Sequence, residues 1–179
     1  MNHMEFEQFV LENGKDILRF CRMTCGSSEA GDELYQDTML KLLGKCSRLD
    51  PRQNVKSYAL SISILLWKNK KKKYANRTRL IPTDSLDRME EEGEQAHAES
   101  PVPSPENIFL REEEKAAVQK VVLDLPEQYR LPILLYYASD LSVQDIAQIL
   151  VIPVGTVKSR MNKARQMLKT KLEALGYDK

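Results

Sequence analysis

The most constraining feature of the sequence is residues 141–175, whose pattern predicts two helices joined by a tight turn. Ser142 is suited to cap the first helix, and Asp145 follows at the three-residue spacing of a capping box. Pro153 ends that helix because proline lacks an amide proton and disfavours the α region for the residue before it. The pattern therefore predicts a helix-turn-helix whose second helix starts at Pro153 or Val154.

The second of these helices carries one apolar stripe and an opposite polar face. Spacings of three and four residues along the stripe are typical of a helix with one buried side. The stripe consists of Val157, Met161, Ala164, Leu168, Leu172 and Leu175. At about 100° per residue, amide, hydroxyl and cationic side chains lie opposite or beside it. The predicted DNA-contacting residues are Thr156, Lys158, Ser159, Arg160, Asn162, Lys163 and Arg165.

Charge separates two interpretations of that polar face. A basic helix face is often merely solvated, and helix-turn-helix geometry also occurs in proteins that do not bind DNA. Between residues 154 and 179, however, seven Lys or Arg residues accompany only two acids, Glu173 and Asp178. Such a concentration suits base edges and phosphates of a major groove, so it favours DNA binding.

The remaining composition bounds the class of protein. A chain of 179 residues allows one large domain or two small ones, and the net charge of +1 is uninformative. Cys21, Cys25 and Cys46 are odd in number and lack zinc-ligand spacing, which favours reduced thiols over the alternatives of metal binding or a disulfide. No apolar run approaches the roughly 20 residues of a membrane span, and the N-terminus has no signal-peptide pattern. We therefore expect a cytoplasmic protein.

Residue patterns typical of catalysis are missing from the sequence. His3 and His97 are isolated, residues 155–159 lack the glycine spacing of a phosphate-binding loop, and no nucleophile elbow occurs. An enzyme or ligand sensor would need a polar constellation of this kind. We predict no catalytic residue, metal, cofactor or small-molecule substrate.

The N-terminal half reads as three helices, over residues 4–25, 30–43 and 55–74, with Ser28 as a candidate cap of the second. The predicted core face of the first helix consists of Phe6, Val10, Ile17, Cys21 and Cys25, with Phe9 and Leu18 beside it. The predicted core residues of the second helix are Leu34, Leu40 and Leu43. Those of the third helix are Val55, Tyr58, Ala59, Ile62, Leu65 and Leu66.

A basic run with two aromatic residues follows the core of the third helix. Trp67 and Tyr74, seven residues apart, share one side of the helix with Lys71 between them. Such a surface suits a phosphate backbone with stacked bases. Alternatively, the two rings pack on a neighbouring helix while only the lysines contact phosphate. The residues predicted to bind nucleic acid here are Trp67, Lys68, Lys70, Lys71, Lys72, Lys73 and Tyr74.

An acidic segment divides the chain. Residues 80–107 carry eight acids against one arginine, together with four prolines, which is typical of a flexible, largely disordered linker. Beyond it the pattern predicts helices over 105–123 and 127–138 before the helix-turn-helix. Side chains available for packing in the second of these are Tyr129, Leu131, Ile133, Leu134 and Tyr137. The prediction is an all-α protein with two small helical domains, 1–79 and 108–179, joined by the acidic linker 80–107.

With both domains laid out, the chain resembles an extracytoplasmic-function (ECF) sigma factor of the sigma-70 superfamily. Residues 32–42 (DELYQDTMLKL) resemble region 2.2, and residues 54–60 (NVKSYAL) with the lysine run resemble regions 2.3 and 2.4. Residues 125–130 (LPEQYR), 145–147 (DIA) and 155–160 (GTVKSR), with Ala164-Arg165, resemble region 4.

This resemblance implies a three-helix domain 2 and a helix-turn-helix domain 4. It implies partners: the β′ clamp helices and β-flap of core RNA polymerase, promoter DNA and an anti-sigma factor. Domain 2 would open the minus-10 element through the residues of the basic run, and domain 4 would bind the minus-35 element. The implied polymerase-binding residues are Asp32, Glu33, Gln36, Asp37 and Lys41. The implied function is promoter-specific transcription initiation, with RNA synthesis left to the polymerase.

The sequence departs from the family pattern in three places. Ile64 and Leu65 stand where Arg-Asn is frequent, and Asn69 where Asp is frequent, so minus-10 base contacts are not transferred there. Val151 occupies the turn position where glycine is common, and a left-handed conformation there would strain a β-branched residue. Lys163 replaces an arginine, and lysine does not reproduce bidentate recognition of guanine.

One further interpretation remains, a stand-alone helix-turn-helix regulator that binds DNA without polymerase. It accounts for the C-terminal domain but not for the N-terminal domain and its acidic face over residues 32–37. A regulator should not need core polymerase to bind its site.

Overall fold

The computed structural model describes residues 1–50, 52–80 and 105–177, with side chains described over 1–50, 52–76 and 114–177. Within these ranges the ordered elements are all helical, and the chain divides into two compact units, Met1–Gln95 and Ala96–Lys179. None of the helices in the described ranges combines the length and apolar character that crossing a membrane requires. Most of the predicted linker lies outside the described residues, and the domain boundaries remain a prediction.

The first unit is built from α1 (His3–Cys25), α2 (Ser28–Leu43) and α3 (Val55–Leu80), with a short 3-10 turn at Cys46–Arg48. Asn2 and Glu5 form a capping box at the start of α1. Gly26 ends that helix in the left-handed conformation at φ 79°. The cap of α2 is Ser27, which accepts from the Ala30 N–H at 3.2 Å, so the predicted cap Ser28 is wrong by one residue.

Helix α2 buries a face that its leucine pattern does not reveal. Its buried residues are Gly31, Leu34, Thr38 and Leu42. The predicted core residues Leu40 and Leu43 are instead 67% and 41% exposed. Small residues set this orientation, because a Cβ on Gly31 would lie 2.4 Å from the Arg22 Cα. Helices α1 and α2 therefore approach closely along a face that hydrophobicity alone does not select.

The core of this unit also differs from prediction on the other two helices. Phe6, Ile17 and Cys21 are buried as expected, whereas Phe20 is fully buried without having been predicted, and Val10 and Cys25 are half-buried. On α3 the buried set is Val55, Ala59, Leu60, Ile62, Ser63 and Ile64, while Leu65 is exposed, contrary to prediction. Helix α3 contacts both α1 and α2, so it buries a wider arc than a single stripe.

Buried hydroxyls link the three helices at the centre of this core. Thr38 Oγ1 donates to the Leu34 carbonyl at 2.7 Å and lies 3.1 Å from Ser63 Oγ. Cys21 Sγ lies 3.8 Å from the same Ser63 hydroxyl, and burial raises the pKa of its thiol to about 12. Cys21, Cys25 and Cys46 are free thiols, and no cluster of metal-ligating side chains occurs in the part of the chain that the structure describes.

The second unit comprises α4 (Pro105–Leu123), α5 (Glu127–Ile133), α6 (Val143–Leu150) and α7 (Val154–Ala174). The predicted helix over 127–138 is divided, because Leu134–Ala138 forms a π-helical turn directly after α5. A π turn adds a residue to the turn and so shifts which side chains face the core. Leu131, Ile133, Leu134 and Leu135 are buried, while Tyr137 is 62% exposed, so its predicted packing role is wrong.

The apolar stripe of α7 is buried where it meets the rest of the unit. Val157, Met161 and Ala164 are buried as predicted, and Leu168 and Leu172 are half-buried. Leu175 lies beyond the end of the helix and is exposed, contrary to prediction. The helix therefore packs through its N-terminal half and leaves its C-terminal turns more open.

Candidate nucleic-acid interface

The turn between α6 and α7 has the helix-turn-helix geometry expected from the sequence. Ser142 Oγ accepts from the Asp145 N–H at 3.1 Å and donates to the Asp145 carboxylate at 2.6 Å, so this carboxylate accepts from the Ser142 side chain and not from the backbone N–H that a capping box uses. Val151 adopts the left-handed conformation at φ 56°, ψ 50°, so the turn keeps the conformation for which glycine is common, with a β-branched residue that is strained there. Pro153 occupies the N-cap position of α7 without a side-chain capping hydrogen bond, and a Cβ added at Gly155 would meet no atom within 4 Å.

The predicted DNA-contacting side chains lie together on the outer side of α7. Lys158, Ser159, Asn162, Lys163 and Arg165 are exposed, and Thr156 and Arg160 are half-buried. We call Lys158, Arg160, Lys163 and Arg165 the α7 basic surface.

Carboxylates approach the cations of α7 at its C-terminal end. Lys169 pairs with Glu173 at 3.6 Å, and Lys171 pairs with Asp124 at 3.1 Å. Within the described residues, the α7 basic surface forms no such ion pair. Its positive charge is therefore left for an anionic partner such as a phosphate backbone.

Two tyrosines that the sequence analysis did not assign to a site lie against this surface. Arg165 Nε donates to the Tyr137 hydroxyl at 3.1 Å, and its guanidinium carbon lies 5.8 Å and 6.0 Å from the Tyr137 and Tyr136 ring centroids. Helical periodicity could not have indicated them, because the π turn places both rings towards α7.

In the first unit the predicted minus-10 residues lie along the second half of α3. Lys68, Lys71, Lys72, Lys73 and Tyr74 are exposed, and Trp67 and Lys70 are half-buried; we call these seven residues the α3 basic surface. Lys71 Nζ lies 5.8 Å from the centroid of the Trp67 ring, a cation–π distance. The Tyr74 side chain is 77% exposed, and stacking on bases remains one of the two predicted alternatives.

The predicted polymerase-binding residues, which we call the α2 acidic face, lie beside the α3 basic surface. This face consists of Asp32, Glu33, Gln36, Asp37 and Lys41. Lys70 Nζ lies 3.0 Å from Glu33 Oε1 and 3.1 Å from Asp37 Oδ2. Burial opposes the charge of Lys70, but the two carboxylates outweigh it, so the pKa of Lys70 is raised. One lysine of the predicted minus-10 set is thus bound to the predicted polymerase site.

Asp32 pairs with a different cation from Glu33 and Asp37. The Arg22 side chain donates to both Asp32 carboxylate oxygens, at 2.6 Å and 3.1 Å. This bidentate hydrogen bonding keeps the pKa of Asp32 below its ordinary value. Gln36 and Lys41 are exposed.

Two apolar side chains extend the α2 acidic face. Leu40 follows Gln36 by four residues and Leu43 follows Leu40 by three, so the exposed face continues as an apolar strip. The sequence analysis assigned both leucines to the core. The small residues Gly31 and Thr38 on the opposite face were the signal that could have corrected this assignment.

Comparison with known protein families finds two matches in chain order. Residues 9–77 match the family Sigma-70 region 2, and residues 115–168 match the family Sigma-70, region 4. The first match contains α2 and the α3 basic surface, and the second contains the helix-turn-helix with the α7 basic surface.

The curated relatives are named as RNA polymerase sigma factors. The ECF RNA polymerase sigma-E factor of Escherichia coli K12 is 37% identical over 95 residues, which is 52% of this chain and 50% of that protein. The RNA polymerase sigma-H factor of Pseudomonas aeruginosa is 39% identical over 79 residues, 44% of this chain and 41% of that protein. The matches thus span about half the length of these curated relatives or less.

Solved structures share the fold. The sigma factor RpoE of Bartonella quintana, determined with the anti-sigma factor NepR, has a TM-score of 0.74 at 21% identity, covering 94% of this chain and 96% of RpoE. CnrH, determined with the cytosolic domain of CnrY, has a TM-score of 0.64 at 20% identity, covering 97% of this chain and 90% of CnrH.

Proposed function

Because the chain belongs to the sigma-70 superfamily as an ECF-type sigma factor, we propose that it binds core RNA polymerase and directs promoter-specific transcription initiation. The observation that carries this proposal is that regions 2 and 4 are present in order, each with an exposed basic surface on its own compact unit. The family is not a class of enzymes. We assign RNA synthesis to the polymerase and none of its chemistry to this chain.

In the second unit, α7 would enter the major groove of the minus-35 element. The absence of ion pairs on the α7 basic surface, among the described residues, supports this role because its cations need not give up an internal partner. Ser159, Asn162 and Lys163 lie on the side of α7 opposite the buried stripe and would meet base edges. This unit would also contact the β-flap.

In the first unit, the α3 basic surface would hold the non-template strand of the minus-10 element. Exposed lysines beside Trp67 and Tyr74 support this role, since phosphate attraction and base stacking together bind single strands without requiring a helix in a groove.

The α2 acidic face would dock on the β′ clamp helices. Three acids, Glu33 exposed and Asp32 and Asp37 half-buried, outnumber the two cations that pair with them and would attract a basic partner, and the neighbouring Leu40 and Leu43 provide apolar area to bury. Control by an anti-sigma factor in the cytoplasm completes the proposal. Its support is similarity to RpoE, which was determined with such a protein.

Transcription in vitro tests the proposal. Core polymerase with this chain should initiate at defined sites in a genomic promoter library, and core polymerase alone should not. If the chain fails to direct initiation at any site, the proposal is wrong. If it selects the same DNA sites with equal affinity in the absence of core polymerase, it is instead a stand-alone regulator.

A further inference from the structure

Arg165 is held in an aromatic cluster at the flank of the recognition helix. Its Nε–H donates to the Tyr137 hydroxyl at 3.1 Å, and both tyrosine rings lie within cation–π distance of the guanidinium. The rings themselves pack edge to face, with centroids 4.9 Å apart and planes at 79°. Three side chains from two elements thus fix one another's positions.

The fold leaves the two tyrosine rings at the surface beside α7. Leu134–Ala138 forms a π-helical turn that buries Leu135 completely and leaves Tyr136 and Tyr137 exposed. Tyr137 is 62% exposed and Tyr136 is 36% exposed, so part of each ring is left outside the core for contact with Arg165.

The cluster leaves Arg165 able to bind an anion. The hydrogen bond to Tyr137 uses Nε–H, which leaves the two terminal NH₂ groups of the guanidinium as donors. Within the described residues no carboxylate pairs with Arg165, and a tyrosine hydroxyl and two rings do not neutralise its charge. A partner with two acceptor oxygens, such as a phosphodiester, fits this geometry.

The position of Arg165 on α7 indicates whether its DNA partner is a phosphate or a base. Arg165 follows the fully buried Ala164, so at about 100° per residue it lies near the edge of the buried stripe. Side chains opposite the stripe point to the groove floor, whereas those at the flank face the rim, where the phosphates run. An arginine already fixed by its neighbours also loses less conformational freedom on binding.

We propose that Tyr136 and Tyr137 are positioning residues that hold the Arg165 guanidinium for a DNA phosphate at the rim of the minus-35 groove. The inference rests on the proposed function and deepens it, because it assigns part of the affinity to residues outside the helix-turn-helix.

A double-mutant cycle in DNA binding tests this. The probe is a duplex recovered from randomised DNA by the wild-type holoenzyme, and affinity is measured against salt. Arg165→Ala should weaken binding about tenfold and reduce the slope of log K against log salt by about 0.9, the value for one phosphate contact. The pair Tyr136→Leu and Tyr137→Leu should weaken binding several-fold in the wild-type background and have no effect in the Arg165→Ala background.

Arg160, on the other flank of α7, provides the control. The tyrosine pair should act additively with Arg160→Ala, because no described contact joins them. Thermal melting of each variant tests whether the second unit stays folded. If the double leucine variant unfolds, Tyr137→Phe, which removes only the hydroxyl, is used in its place. This change should have no effect on DNA affinity in the Arg165→Ala background.

Two results would overturn the inference: an unchanged salt slope in Arg165→Ala, or equal losses from the tyrosine changes with and without Arg165. Loss of polymerase assembly without loss of DNA affinity would count against it equally. If the wild-type holoenzyme selects no duplex at all, the proposed function itself is wrong.

Discussion

The two basic surfaces differ in what compensates their charge. On α3, Lys70 is bound by Glu33 and Asp37, and Lys71 lies against Trp67. On α7, the described contacts of the basic surface include tyrosines but no carboxylate. The comparison indicates that the α3 basic surface is coupled to the α2 acidic face, whereas no carboxylate of the described residues compensates the α7 basic surface. Substitutions of Lys158, Arg160 or Lys163 should therefore report on DNA alone, and those near Lys70 on two functions at once.

The largest expected effect is that of Asp37→Arg. This change removes a ligand of Lys70 and places a second cation beside it, so we expect core-polymerase affinity to fall by about 10–100-fold, or ~1.4–2.8 kcal/mol. Holoenzyme titration with labelled core measures it. The matched control is Asp16→Arg, which breaks a similar pair with Lys56 at 2.7 Å on the same unit. Equal losses in both variants would mean that the α2 acidic face is not the docking site.

Next in size is Lys163→Ala on the α7 basic surface. Loss of a groove contact should weaken holoenzyme binding to minus-35 DNA by about 1 kcal/mol, the low end for a base contact because lysine is not bidentate. Stability should be unchanged, since Lys163 has no carboxylate partner among the described residues. Lys169→Ala is the control, because this lysine on the same helix pairs with Glu173. A duplex-binding assay compares the two. If Lys169→Ala weakens binding as much as Lys163→Ala, the effect is one of net charge and no surface has been identified.

Val151→Gly tests the support of α7. A valine at φ 56° is strained, and glycine relieves that strain at the cost of a more flexible unfolded chain. The side chain is 86% exposed, so little packing is lost. We expect the free energy of unfolding of the second unit to rise by about 0.5–1 kcal/mol in chemical denaturation. The control is Val154→Gly, the same change at the first residue of α7, which should be destabilising. If Val151→Gly also lowers the free energy of unfolding, Val151 is not strained in the wild-type protein.

The smallest expected effect is a difference in stability between substitutions on the two basic surfaces. Lys70→Met should destabilise the first unit by roughly 0.5 kcal/mol, a small value because the ion pairs are partly exposed, while Lys163→Met should be neutral. Because folding raises the pKa of Lys70, its contribution is complete below the unfolded pKa of about 10.4 and is lost as the pH rises through the folded pKa. Denaturation of wild type and variant between pH 8 and 11 should show the difference shrink. A difference that persists at the alkaline end would assign the loss to packing.

Particular residues mark how far the sequence predicts this fold. The stripe of Val157, Met161 and Ala164 was predictable, because a 3.6-residue period identifies the buried side of a helix that packs on one side only. Leu40 and Leu43 were misassigned, because Gly31 and Thr38 let α1 and α3 approach α2 on a face with fewer large apolar residues. Tyr137 was misassigned because a π turn changes the period itself.

In the candidate sites, the local sequence determined which residue types are present, and the tertiary structure determined which of them are in contact. The lysine run and the cap at Ser142 are local features, set within one or two helical turns, so the sequence alone determined them, whereas the left-handed conformation of Val151 is given by the structure. The ion pairs of Lys70 with Glu33 and Asp37, and the contact of Arg165 with Tyr136 and Tyr137, join residues roughly 30 positions apart in the chain. Only packing of separate helices brings such groups within 3–6 Å, because no short-range periodicity encodes which faces of two distant helices will meet.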